Sequence, residues 1–120
     1  MSEEYFDWAQ TASLLGDDPN DVPEDMSALV WELIQSSDER LQELGTKNPS
    51  IESKAISALA HQLRGSLLNF GFAKVGGILL EIEKGGYSSN EYPVLLEKVK
   101  TAFEASKKVL VERYPSIRVA

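Results

Sequence analysis

Cysteine is absent from this 120-residue chain, and histidine occurs once. Without thiols there is no disulfide framework and no thiolate metal site. Positive charge is also short: 12 Lys and Arg stand against 19 Asp and Glu, a net charge of -7. Nucleic-acid binding needs clustered Lys and Arg against phosphates, so the balance argues against it and favours a protein partner with a basic rim. No apolar run approaches the roughly 20 residues that span a bilayer. The opening Met1-Ser2-Glu3-Glu4 lacks the basic-then-apolar order of a secretory signal. A cytoplasmic monomer with neither a nucleic-acid nor a membrane partner is expected. A phosphate-cradling loop is missing too, because Gly76-Gly77 has no following Lys-Ser/Thr. Asp17, Asp18 and Asp21 lack the central glycine and closing glutamate of a calcium loop. The chain is therefore expected to bind no cofactor or metal of its own.

What is present is helical periodicity. With 42% apolar residues at this length, the chain can build one core and is too short for two, so 1–120 reads as a single domain. Five segments carry apolar residues at helical spacing, over about 4–15, 23–45, 50–70, 72–84 and 88–114. Gly16 stops the first segment, and the Asp/Pro/Asn loop after it resists helix continuation. Pro23 suits a first turn, with Glu24 and Asp25 at the positive end of the helix dipole. Leu29, Val30, Leu33, Ile34, Ser37, Leu41 and Leu44 form one stripe on the second segment, which Gly45 is placed to end. Gly71 breaks the third from the fourth, and Gly85-Gly86 stops the fourth. Ser88, Ser89 or Asn90 can cap the last, and Tyr114-Pro115 closes it. Trp8, Trp31, Phe70 and Phe103 are expected in the core. Short connections predict an all-α fold, an antiparallel up-down four-helix bundle with a short extra N-terminal helix.

The single histidine opens the run His61-Gln62-Leu63-Arg64-Gly65-Ser66. At roughly 100° per residue, Ser57, Arg64, Gly65 and Leu68 fall within about 60° of His61, whereas Leu59, Leu63 and Phe70 lie opposite. The imidazole is therefore expected to face water. An imidazole, with an ordinary pKa of about 6.5, offers a neutral nucleophilic nitrogen near physiological pH. Arg64, one turn on, can offset the charge of a phosphoryl oxygen. Gly65 sits beside the histidine, where a helical glycine costs about 0.5 to 1 kcal/mol relative to alanine. Admission of a partner's active-site loop explains it. No second acid, base or nucleophile is recognisable beside His61, which disfavours an enzyme with its own small-molecule pocket.

His61-Gln62-Leu63-Arg64-Gly65-Ser66, followed by Asn69-Phe70-Gly71-Phe72, resembles the His-x-Leu-Lys-Gly-Ser and apolar-Gly signature of histidine phosphotransfer (HPt) domains. The likeness extends to the Trp8 helix, the long second helix, the Gly85-Gly86 break and the Lys107-Lys108-Val109-Leu110 helix. It implies a stand-alone phosphorelay intermediate: a carrier without kinase activity that accepts a phosphoryl group on His61 from a receiver-domain aspartate and passes it to another receiver. It also implies receiver domains of response regulators and hybrid sensor kinases as partners, with Mg2+ held in the receiver. Arg64 stands where the family's lysine is usual and keeps its charge. Glu83 and Lys84 fall where family members place polar groups near the histidine. Ser57, Leu68, Leu14 and Phe72 complete the expected partner-binding set. The alternative is a non-catalytic helical adaptor that binds a partner through the His61 face.

Overall fold

The computed structural model describes residues 2–117, with side chains from Glu4 onward. Among these residues all regular structure is helical: α1 (Ser2–Tyr5), α2 (Trp8–Leu15), α3 (Glu24–Gly45), α4 (Ser53–Asn69), α5 (Ala73–Lys84) and α6 (Glu91–Arg113). The expected single first helix is thus two. Apolar spacing runs through residues 4–15 without a gap, but Asp7 is extended at ψ 93° and its carboxylate accepts from the Gln10 N–H at 3.4 Å, starting a new helix. The break turns Phe6 inward, where it is 2% exposed and stacks on Trp8 at 4.5 Å.

The other boundaries follow local chemistry. Glu24 and Asp25 lie in the first turn of α3, after Pro23. At α6, Ser88 and Glu91 exchange bonds: the Ser88 N–H donates to Glu91 Oε1 at 2.7 Å, and the Glu91 N–H donates to Ser88 Oγ at 3.1 Å. This reciprocal pair satisfies two backbone donors that a helix start leaves open. Gly85 and Gly86, at φ 75° and 84°, end α5 in a conformation that L side chains rarely adopt.

Helix α4 packs on α3 and α5, and α6 closes the ring by contacting both α5 and α3. Val30, Ile56, Leu63, Leu67, Val75, Leu79, Ile82 and Val99 meet in the centre. Helices α4 and α5 approach closely because Gly76 faces Leu68: a Cβ there would lie 2.6 Å from Leu68 Cδ2. Phe103 is fully buried, as expected, but Trp8, Trp31 and Phe70 are only partly buried and pack against the core's edge. Leu29, expected on the apolar stripe of α3, is 45% exposed. Buried Tyr92 ties α6 to the end of α3 by donating its hydroxyl to Leu44 O at 2.7 Å.

The N-terminal segment straps the far end of α4. Its last carbonyls would otherwise lack partners. Gln10 Nε2 donates to Asn69 O at 2.8 Å, Thr11 Oγ1 to Phe70 O at 2.7 Å, and the Asp7 N–H to Gly71 O at 2.8 Å. Gly71 permits this approach with φ 86°, since a Cβ would run into Thr11 Oγ1 and into Asp7 O at 2.6 Å. The helix that carries His61 is thereby held at one end by backbone and side-chain bonds that do not involve the histidine.

Candidate functional site

Helix α4 buries Ile56, Leu59, Ala60, Leu63 and Leu67 and leaves the opposite face outward. His61 lies on that face with its side chain 66% exposed. The ring is not free, however. Its Nδ1 lies 2.9 Å from Glu83 Oε2, while Arg64 Nε donates to Glu83 Oε1 at 2.9 Å. One carboxylate on α5 thus serves two residues one turn apart on α4.

The electrostatics decide where the imidazole proton sits. Arg64's hydrogen bond, against an opposing desolvation and with help from His61, holds the Glu83 carboxyl below the usual carboxylate range. Near neutral pH Glu83 is therefore ionised and can only accept. A hydrogen bond at Nδ1 then requires a proton on Nδ1, and of the two neutral tautomers this is the one whose lone pair is on Nε2. The arrangement is an oriented nucleophile beside a guanidinium.

Glu83 stands in the last turn of α5, where carbonyls lack helical partners. Ser57, one turn before His61, supplies one: its hydroxyl donates to Glu83 O at 2.8 Å. On the other flank, Arg40 Nη1 of α3 donates to Gln62 Oε1 at 3.3 Å, joining α3 to α4 beside the histidine. Arg40 escapes sequence reasoning because nothing in the spacing of two separate helices registers the contact.

The remaining expected residues divide. Gly65 is exposed, and a Cβ there would meet nothing within 4 Å, so no packing demand of the fold accounts for it. Leu68 is 37% exposed and leans over Gly76, next to α5. Leu14 is half-buried on α2, and Lys84 is exposed at the end of α5. Phe72 corrects the expectation of docking. It is fully buried between Phe6 and Phe103, with ring centroids at 4.7 and 6.1 Å, because the turn at Gly71 swings it under α5. It offers a partner no surface. Leu29, Leu33 and Phe70 instead line a shallow groove between α3 and α4, a few turns from His61.

No helix among the described residues is long and apolar enough to cross a membrane. Comparison with known families finds that the model described as "Hpt domain" matches residues 28–108, from the first turns of α3 into the last third of α6. Comparisons with curated proteins and with solved structures give no match.

Proposed function

The chain belongs to the Hpt domain family, whose members carry phosphoryl groups on histidine in phosphorelays, and we propose that in this protein His61 Nε2 is the acceptor. The observation that carries this reading is the divided Glu83 carboxylate, 2.9 Å from His61 Nδ1 and 2.9 Å from Arg64 Nε. It orients the ring with Nε2 toward solvent and holds a guanidinium alongside. The short interhelical connections are in keeping with an antiparallel up-down four-helix bundle carrying an N-terminal helical strap.

In the proposed reaction the Nε2 lone pair attacks the phosphorus of a receiver's aspartyl phosphate. The N–P bond forms as the P–O bond to the aspartate breaks, and that carboxylate leaves. The Nδ1 proton stays on the ring, whose positive charge is balanced by Glu83. Onward transfer reverses these steps toward a second receiver. Arg64 spends Nε on Glu83 and retains its Nη groups for a phosphoryl oxygen, an option open to a guanidinium because its donors point in several fixed directions. Gly65 gives clearance to the receiver's loop. Leu68, Leu14, Lys84 and the groove at Leu29 extend the docking face. Nucleotide chemistry belongs to an upstream kinase and Mg2+ to the receiver.

Incubation with a phosphorylated receiver domain tests the proposal. Acid-labile, base-stable label is expected on the chain and is expected to vanish in His61→Gln. A chain that binds receivers yet takes no label would be an adaptor, and the carrier reading would fail.

A further inference from the structure

Ser57 shares the face of His61, where a partner contact is the obvious role, yet its hydroxyl is turned away from that use. It donates to the backbone carbonyl of Glu83 at 2.8 Å. That carbonyl sits one residue from the end of α5, ahead of Gly85 and Gly86, both at positive φ with open space around them. The closing bond of the helix is long, 3.3 Å from the Gly85 N–H to Ile82 O. Helix ends fray, and this one is followed by the two residues least able to stiffen it. Glu83 nevertheless has to hold its two carboxylate oxygens on two different helical residues at once.

We propose that Ser57 is a positioning residue: by pinning the Glu83 carbonyl to α4, it fixes the carboxylate on His61 Nδ1 and so selects the ring tautomer that exposes Nε2. The relevance to phosphotransfer rests on the reading of His61 as the acceptor, whereas the positioning itself does not. The Ser57 hydroxyl donates to Glu83 O and not to the imidazole. Its influence runs through one backbone carbonyl and the short Glu83 side chain. Three contacts therefore form a closed loop between α4 and α5, from Ser57 to Glu83 O, and from the Glu83 carboxylate back to His61 and Arg64. Ser57→Ala opens that loop while leaving the Glu83, His61 and Arg64 side chains chemically intact.

The test uses the full chain and the fact that it has one histidine, so that a single pair of ring nitrogens reports the site. Ring 15N shifts near neutral pH give the fraction of His61 protonated at Nδ1, and amide exchange at Glu83, Lys84 and Gly85 gives the opening of the α5 terminus. Ser57→Ala is expected to move the ring shifts toward the Nε2–H tautomer, in the same direction as Glu83→Ala. It is also expected to speed the three amides about tenfold, the factor that one lost hydrogen bond represents. Ser57→Thr, which keeps the hydroxyl, is expected to behave as the parent. Labelling of His61 by phosphoramidate should fall in Ser57→Ala and return in Ser57→Thr. Unchanged ring shifts in Ser57→Ala, or a Ser57→Thr variant indistinguishable from it, would overturn the proposal. So would a loss of receiver affinity in Ser57→Ala with the tautomer intact, which is the signature of a docking residue. Ring shifts and exchange need no phosphate, so failure of the carrier reading would appear separately, as absent label in the parent chain.

Discussion

Glu83 Oε2 lies 2.9 Å from His61 Nδ1, although the two residues are 22 apart in sequence and on different helices. The contact turns an exposed imidazole into an oriented one. A lone surface histidine samples both tautomers and many ring angles, whereas one facing a carboxylate keeps its proton on the bonded nitrogen and presents the other. The nearby guanidinium keeps that carboxylate ionised.

The dependence on Arg64 gives a pH prediction with a definite sign. Arg64's bond is the largest cause of the lowered Glu83 pKa. A carboxyl whose folded pKa is lowered contributes stability above its unfolded value, and that contribution is lost as pH falls through the folded value. Titration of the Glu83 side chain by carboxyl 13C shifts should place its midpoint below the usual 4.5. Arg64→Ala should move it upward and shrink the acid-side loss of stability, while phosphohistidine formation slows. Identical midpoints in the two proteins would remove Arg64 from the account.

Gly65 is predicted to matter for association and not for folding. A Cβ there has open space, and replacing a helical glycine by glutamine raises helix propensity by somewhat under 1 kcal/mol. Thermal stability of Gly65→Gln should hold or rise. Transfer from a phosphorylated receiver should fall through weaker docking, with labelling by the small donor phosphoramidate less affected. Unchanged receiver transfer would dispose of the clearance argument.

Gly71→Ala should do the reverse. The position combines φ 86° with a Cβ that would strike Thr11 Oγ1 and Asp7 O, so the strap on α4 must shift. A loss of about 2 kcal/mol or more is expected, lowering Tm by at least about 5 °C. The His61 ring shifts should change little in the folded protein, because the strap grips the C-terminal end of α4, about two turns beyond the histidine. An unaltered Tm would contradict the contact.

Much of this was legible in the chain because helical period and break residues are local signals. Gly45, Gly71 and Gly85-Gly86 fall at or beside helix ends, and the polar face of α4 carries His61, Arg64 and Gly65 together. What escaped depended on contacts between elements. Asp7 caps a helix in the middle of an unbroken apolar pattern, so one helix was expected where two occur. Phe72 shares the spacing of exposed and buried positions alike, and only the Gly71 turn decides that it goes inside. Leu29 follows the stripe of α3 yet stays 45% exposed at the groove between α3 and α4. Glu83 was marked out by family resemblance alone, and its division between His61 and Arg64 is a property of the α4–α5 packing. Ser57 was placed on the correct face, but helical angle says nothing about where a hydroxyl donates.

The central claim is that Nε2 of His61, with Nδ1 protonated toward Glu83, takes the phosphoryl group. The most direct measurement is 15N and 31P NMR of the ring-labelled chain after phosphorylation, in which the one histidine gives an unambiguous signal. The account predicts phosphorus bonded to Nε2 with the proton retained on Nδ1, and no phosphorus signal of this kind in His61→Gln. Phosphorus on Nδ1, or a chain that carries its label on another residue, would contradict it.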